Sequence, residues 1–154
     1  MPKARRSYFF LLQMRIDDRR ERRQSIQLLE NLNPGEDWAV RESDERPWGR
    51  YEVLEERTGF KVKVLEVKPG ARLSLQRHAQ RGEHWVVVEG VADVVCGEEQ
   101  LQLRRGEHIH IPPQTNHRLG NSTNAPLAII EVQLGDYLGE DDIVRLDDDY
   151  KRIA

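Results

Sequence analysis

The run Gly70-Ala71-Arg72-Leu73-Ser74-Leu75-Gln76-Arg77-His78-Ala79-Gln80-Arg81-Gly82-Glu83 leads on to Gly90 and, after a gap, to Gly106, Pro112-Pro113-Gln114, His117 and Asn121. As a pattern it reads G-x5-Q-x-H-x4-E-x6-G, then G-x5-P-x-Q-x2-H-x3-N. Arg72 to Gln76 alternates polar and apolar, so as a strand it projects Gln76 and His78 from one face. A second strand, His84 to Glu89, begins just past Glu83, and another short strand ends at Pro112-Pro113 ahead of His117. Two hairpins would bring one amide oxygen, two imidazoles and one carboxylate to a common point. That is a ligand set for a divalent metal.

Outward from this stretch, short β-rich runs fill the chain: Tyr51 to Leu54, Phe60 to Val67, Leu73 to Gln76, Trp85 to Val88, Ala92 to Cys96, Gln100 to Leu103, His108 to Ile111 and Leu127 to Val132. Glycines or prolines separate them at Gly59, Pro69-Gly70, Gly90, Gly97, Gly106, Pro112-Pro113 and Pro126. Many short strands with turn signals every 8 to 12 residues or so indicate an all-β sandwich or barrel. No helical period interrupts them, which argues against parallel βαβ units. Trp48 and Trp85 are expected in the core.

At 154 residues the chain suits one globular domain with a sizeable core. The apolar fraction of 38% is low and the charged fraction of 33% is high, so solvated extensions are expected around that domain. A net charge of -3 favours neither nucleic acid nor a membrane surface as partner. The single cysteine, Cys96, excludes an intrachain disulfide and fits a reducing, cytoplasmic setting. Within Val94-Val95-Cys96 it reads as a small core residue. No apolar run approaches the roughly 20 residues of a membrane span.

Residues 1–45 read as an arm and linker, partly helical or disordered, and 46–154 as the domain. Residues 1 to 23 carry eight Lys or Arg against three acids and one apolar patch, Tyr8 to Leu12. The apolar core is too short for a secretory signal, and Asp17, Asp18 and Glu21 break the basic run that a transit peptide needs. Ile26, Leu29 and Leu32 fall near one helical stripe from about Asp17 to Leu32. Asn33-Pro34-Gly35 then breaks the chain. At the other end Gly135 to Arg152 is acidic, and Asp147 to Asp149 read as solvated surface. Arg145, between Val144 and Leu146, reads as held by packing.

The two motifs resemble those of the cupin superfamily. The resemblance implies a double-stranded β-helix, a jelly-roll barrel with a metal among strands from two hairpins. Gln76 stands where many cupins place a histidine, and Gln114 where a glycine is usual. A narrower resemblance covers about Arg46 to Arg152. It rests on Arg46-Pro47-Trp48-Gly49-Arg50-Tyr51, Lys61-Val62-Lys63, Val67-Lys68-Pro69-Gly70, Glu83-His84-Trp85-Val86-Val87-Val88, Ile130-Glu131-Val132-Gln133 and Asp141-Asp142-Ile143-Val144-Arg145. These runs are similar to the C-terminal domain of type II phosphomannose isomerases, which usually fuse it to a mannose-1-phosphate guanylyltransferase. With no room for that partner and no Gly-rich nucleotide loop, transferase activity is not expected here.

The resemblance implies Gln76, His78, Glu83 and His117 as metal ligands. The metal expected is zinc first, with Mn, Co, Ni or Fe(II) as alternatives. It places Arg81 and Arg145 on two family arginines, suited to clamp a phosphate. Glu131, Asp141 and Asp142 are candidates for the base. The implied reaction interconverts mannose 6-phosphate and fructose 6-phosphate through an enediolate, which a net positive metal site stabilises. The family tends to carry histidines after the position of His78, where this chain has Ala79 and Gln80. That departure motivates an alternative: a non-catalytic, metal-containing cupin that binds a sugar or sugar phosphate. A metal oxygenase is the weakest of the three, because Gln76 replaces an imidazole. His84 should face away from Glu83, and His108 and His110 share a face in structural roles. A homodimer is expected, with the Tyr8 to Leu12 patch covering a sheet edge.

Overall fold

The computed structural model describes residues 42–152, which form eleven strands with no helix among them. In chain order these are β1 (Ser43–Arg46), β2 (Gly49–Arg57), β3 (Phe60–Val67), β4 (Leu75–Arg77), β5 (Arg81–Glu89), β6 (Val91–Cys96), β7 (Glu99–Arg104), β8 (His108–Ile111), β9 (His117–Gly120), β10 (Leu127–Gly135) and β11 (Val144–Asp147). One sheet runs β1-β2-β3-β10-β5-β8 and the other β11-β4-β9-β6-β7, with every pairing antiparallel. Sequence-distant strands thus lie side by side in two antiparallel sheets around a common core, which is the expected double-stranded β-helix. The candidate arm over residues 1–41 lies outside the described residues. The stretch expected to be linker up to Glu45 ends instead in β1, which pairs with β2 from Ser43↔Glu52 to Arg46↔Gly49. Among the described residues no helix is long and apolar enough to cross a membrane.

Three central strands of the first sheet each change character halfway along their inner face. On β3 the inward residues are Lys61, Lys63, Leu65 and Val67; on β10 Leu127, Ile129, Glu131 and Gln133; on β5 Arg81, Glu83, Trp85 and Val87. The antiparallel register aligns these changes. Leu65, Ile129 and Val87 form one rung, Lys63, Glu131 and Trp85 the next, and Lys61, Gln133 and Glu83 the one after. The apolar end packs on Val94 and Leu119 of the second sheet, with Ile129 and Leu119 fully buried. Trp48 and Trp85 are core aromatics as expected, and Cys96 packs half-buried against the core.

Two glycines allow close approaches, one at each end of β5. Gly90 takes φ +79 in the turn from β5 to β6, where a Cβ would overlap the Pro126 carbonyl. Gly135 lies opposite Arg81, where a Cβ would overlap the Gln80 carbonyl. Gln114, the departure from glycine, does adopt the left-handed conformation at φ +62, and its N–H donates to the His78 carbonyl at 2.7 Å. The turn is therefore kept without the usual residue.

The acidic tail meets its surface expectation at Asp147 and Asp149, which are exposed, and departs from it at Asp148. Asp147 accepts from Arg118 at 2.6 Å, and Asp149 accepts a bidentate pair from Arg72 at 2.8 Å. Asp148 is buried and accepts from Arg152 at 2.7 and 2.9 Å. Each acid meets an arginine, so the run straps β11 along the second sheet.

Candidate metal centre and its cavity

Glu83 sits third in β5 with its side chain turned inward, and His117 opens β9. His78 follows the end of β4, and Gln76 within β4 lies directly across from His117, so the two share a face. The ligand-capable atoms of His78, Glu83 and His117 all fall within 4.8 Å of one another, and all three residues are 1–2% exposed. His78 Nε2 lies 3.2 Å from Glu83 Oε1 and His117 Nε2 lies 3.6 Å from Glu83 Oε2.

The far nitrogens of both imidazoles are committed. His78 Nδ1 is hydrogen-bonded to the Asp142 carbonyl, and His117 Nδ1 to the Thr115 carbonyl at 2.9 Å. A carbonyl only accepts, so each Nδ1 carries the proton and each Nε2 presents a lone pair to the interior. His117 Nε2 is buried with no hydrogen-bond partner. Two lone pairs aimed at one carboxylate call for a cation among them. Outer partners that fix imidazole tautomers in this way are characteristic of metal-ligating histidines. The residues fit a divalent ion, with Gln76 lining the same cavity as a fourth candidate ligand.

The electrostatics agree. Burial would raise the Glu83 carboxyl, but its interactions with His78, His117 and Arg81 outweigh it and hold Glu83 below the usual carboxylate range; theirs is positive charge that a bound cation would supply once the imidazoles are neutral. Burial lowers His117, against the pull of Glu83, which favours the neutral ring a metal requires. Glu131 goes the other way: burial and the Glu83 charge push it up to about 8. Trp85 Nε1 donates to both carboxylates, at 3.0 Å to Glu83 and 3.2 Å to Glu131, and Gln133 Nε2 donates to the other Glu131 oxygen at 2.9 Å.

Gln76, His78, Arg81, Glu83, Glu131 and Arg145 all line one cavity at the polar end of the barrel. Of the other sequence candidates, His117 meets the cavity only through its contact with Glu83, and two more are not brought to it. Asp141 is exposed and accepts from the Tyr137 hydroxyl at 2.6 Å. Asp142 is buried, but its carboxylate accepts the Ala79 and Gln80 N–H groups at 3.0 Å each, which makes it an anchor of the His78 segment. Arg81 is also committed inward: Nη1 donates to the Gly139 carbonyl at 2.8 Å, Nε to Glu83 at 3.4 Å, and Nη2 lies 3.4 Å from His78 Nε2. His84 faces outward, stacked on His110 at 4.4 Å between ring centroids.

Sequence reasoning missed Lys63, Gln133, Glu140, Arg46 and Arg152, which line the same cavity. Lys63 ion-pairs with Glu140 and lies 4.7 Å over the Tyr51 ring. Lys61-Val62-Lys63-Val64 alternates in either phase, and the apolar phase is the one usually taken as inward. The signal available was Leu65 and Val67, which continue the lysine phase into the core.

Comparison with known proteins then gives the relationships. The family model described as mannose-6-phosphate isomerase C-terminal matches residues 34–148. The xanthan biosynthesis protein XanB of Xanthomonas campestris pv. campestris is 53% identical over 107 residues, covering 70% of this chain and 23% of that protein. The alginate biosynthesis protein AlgA of Pseudomonas aeruginosa is 52% identical over 109 residues, covering 71% of this chain and 23% of that protein. The chain thus spans under a quarter of the length of either relative. Among solved structures, a cupin-2 domain protein from Rhodospirillum rubrum superposes with a TM-score of 0.56 at 17% identity, over 70% of this chain and 81% of that one. That likeness bears on the fold, which is the cupin barrel.

Proposed function

The chain belongs to the mannose-6-phosphate isomerase C-terminal family, and from that membership we propose that it interconverts mannose 6-phosphate and fructose 6-phosphate with a divalent metal, zinc first, held by Gln76, His78, Glu83 and His117. When bound, such an ion would supply Lewis-acid stabilisation of the negative charge that develops on the sugar. The hydrogen that moves between C1 and C2 needs a group of this chain to carry it. Glu131 is that group. It is buried on the cavity wall, held by Trp85 and Gln133, and poised near neutrality while Glu83 stays ionised. Two carboxyls with affinities pushed apart by their surroundings divide ligand and proton-transfer duties between them. Asp142 and Arg81 hold the ligand-bearing segment, and Arg145 is left for the substrate's phosphate.

The observation that carries this reading is the pair of imidazoles locked by their Nδ1 bonds, with both Nε2 atoms turned to Glu83 and Glu131 one rung away. The departures at Ala79 and Gln80 bear little on it. Both residues are exposed, and their N–H groups are taken by Asp142.

The test is a coupled assay for fructose 6-phosphate formed from mannose 6-phosphate, on chelated protein and after adding Zn, Mn, Co or Ni. Turnover should return with metal and disappear in His117→Ala. Glu131→Gln should keep the metal and lose roughly 10²–10⁴ in kcat. No turnover with any metal, from folded and metal-loaded protein, would overturn the isomerase and leave a sugar-phosphate-binding cupin.

A further inference from the structure

Arg145 is placed unlike any other cation of the cavity. It pairs across from Gln76 in the β11–β4 register, so its side chain leaves the sheet on the same face as that candidate ligand. Its Nε is buried without a hydrogen-bond partner, and among the described residues no carboxylate bonds to its guanidinium. Burial first, then the charges of Arg152 and Arg46, hold its proton affinity below the usual arginine range, with Asp148 and Glu140 only partly offsetting them. Arg46, Arg145 and Arg152 line the one cavity, and the other two lie near enough to Arg145 to repel it.

The other two each meet a carboxylate. Arg46 Nη2 is paired with Asp44 at 3.0 Å, and Arg152 gives Nε and Nη2 to Asp148. Arg46 also lies over the Tyr51 ring at 5.6 Å and Arg152 over the Tyr150 ring at 5.2 Å; each keeps N–H groups without another hydrogen-bond acceptor among the described residues, and both line the cavity. Two arginines each held by a carboxylate, and a third with none, thus line one cavity and offer their remaining donors to an anion. A phosphate monoester carries close to two negative charges at neutral pH and offers three acceptor oxygens, which matches planar, bidentate donors.

We propose that Arg145, Arg46 and Arg152 together seat the phosphate monoester of a hexose phosphate, and that Arg81 is a positioning residue for the metal ligands. The proposal rests on the sugar-phosphate part of the function above. It assigns the seat to the two ends of the described chain, β1 and the segment after β11. Arg81 is excluded from the seat because its donors already serve Gly139, Glu83 and His78.

The test compares calorimetric binding of mannose 6-phosphate and of mannose to the metal-loaded full chain and its variants, alongside turnover. Arg145→Ala should weaken mannose 6-phosphate binding about 100-fold and leave mannose binding unchanged. Arg46→Ala, at a half-exposed position that leaves folding intact, and Arg152→Ala should each cost about 5- to 10-fold. Arg145→Lys should recover only part of the loss, because it restores charge without the fork. Arg81→Ala should instead lower metal affinity, read by competition with a chelator, and Arg81→Lys should recover part of it. Unchanged mannose 6-phosphate affinity in Arg145→Ala and Arg46→Ala, or equal losses for both sugars, overturns the seat even if the isomerase is active. Phosphate-selective binding that depends on these arginines in a chain without turnover supports the seat and overturns the isomerase.

Discussion

Replacing Asp142 separates an anchor from a base. Its two carboxylate oxygens each accept one backbone N–H, from Ala79 and Gln80 at 3.0 Å, and its own carbonyl takes the His78 Nδ1 proton. Hydrogen bonds to a charged acceptor contribute about 1.5–3 kcal/mol each. Because the two donors lie on exposed residues that water can reach, the lower half of that range applies, and Asp142→Ala should cost about 3 kcal/mol. Asp142→Asn keeps one acceptor oxygen and should cost about half as much. Loosening residues 78–80 lets the His78 ring turn, which lowers metal affinity by roughly 10- to 100-fold, as loss of an outer partner does. Urea denaturation of the apo protein measures the first quantity and chelator competition the second. If the reasoning holds, stability and metal affinity fall together and turnover recovers at saturating metal. A variant with unchanged stability and metal affinity but no turnover would falsify the anchor and restore Asp142 as a base.

Metal removal should destabilise the fold. With free metal at a hundred times its Kd the bound state gains about 2.7 kcal/mol, or roughly 8 °C in Tm for a domain of this size, read by thermal denaturation with and without chelator. The Asp148 carboxyl is held below its ordinary range by its hydrogen bonds from Arg152, against burial. The stability it contributes is fully present above the unfolded value near 3.9, and is lost as pH falls through the lower folded value; Asp148→Asn should flatten that acid limb in denaturation at stepped pH. Gln114→Gly, at φ +62, should stabilise the apo fold by about 1 kcal/mol, seen as a higher urea midpoint with unchanged slope.

The barrel and the His78, Glu83 and His117 cluster were legible because each rests on a short-range pattern: glycine punctuation, strand alternation and fixed spacing. β9 and β11 were not. β9 is four residues long and opens with a buried histidine, while β11 lies in Asp-Asp-Ile-Val-Arg-Leu-Asp-Asp-Asp, where charge suppresses any strand signal. β11 is paired with β4, and of the acids at its end only Asp148 is buried, against Arg152. Asp147 and Asp149 stay exposed, and their partners Arg118 and Arg72 lie far away in sequence. Asp142 was singled out for its chemistry, but its acceptors turn to backbone that only the folded loop presents.

The inward lysines carry the same lesson to the energetics. Replacing a buried charge network by apolar residues of similar volume is often neutral or stabilising, while removing one member costs about 3–5 kcal/mol. Lys63, Glu131, Glu83 and Arg81 are buried together, Lys63 reaching out to the exposed Glu140, over an apolar floor of Leu65, Ile129 and Val87. Leu or Val at the inward positions of β3 and β10 would extend that floor and satisfy the barrel. Stability therefore does not account for the charges, and the three strands switch within one rung of each other, Trp85 of β5 standing level with Lys63 and Glu131, so that the polar walls of the cavity lie side by side. Surface histidines such as His84 and His110 lack this property, since their stacking on the outer face is offset by nothing and encloses nothing.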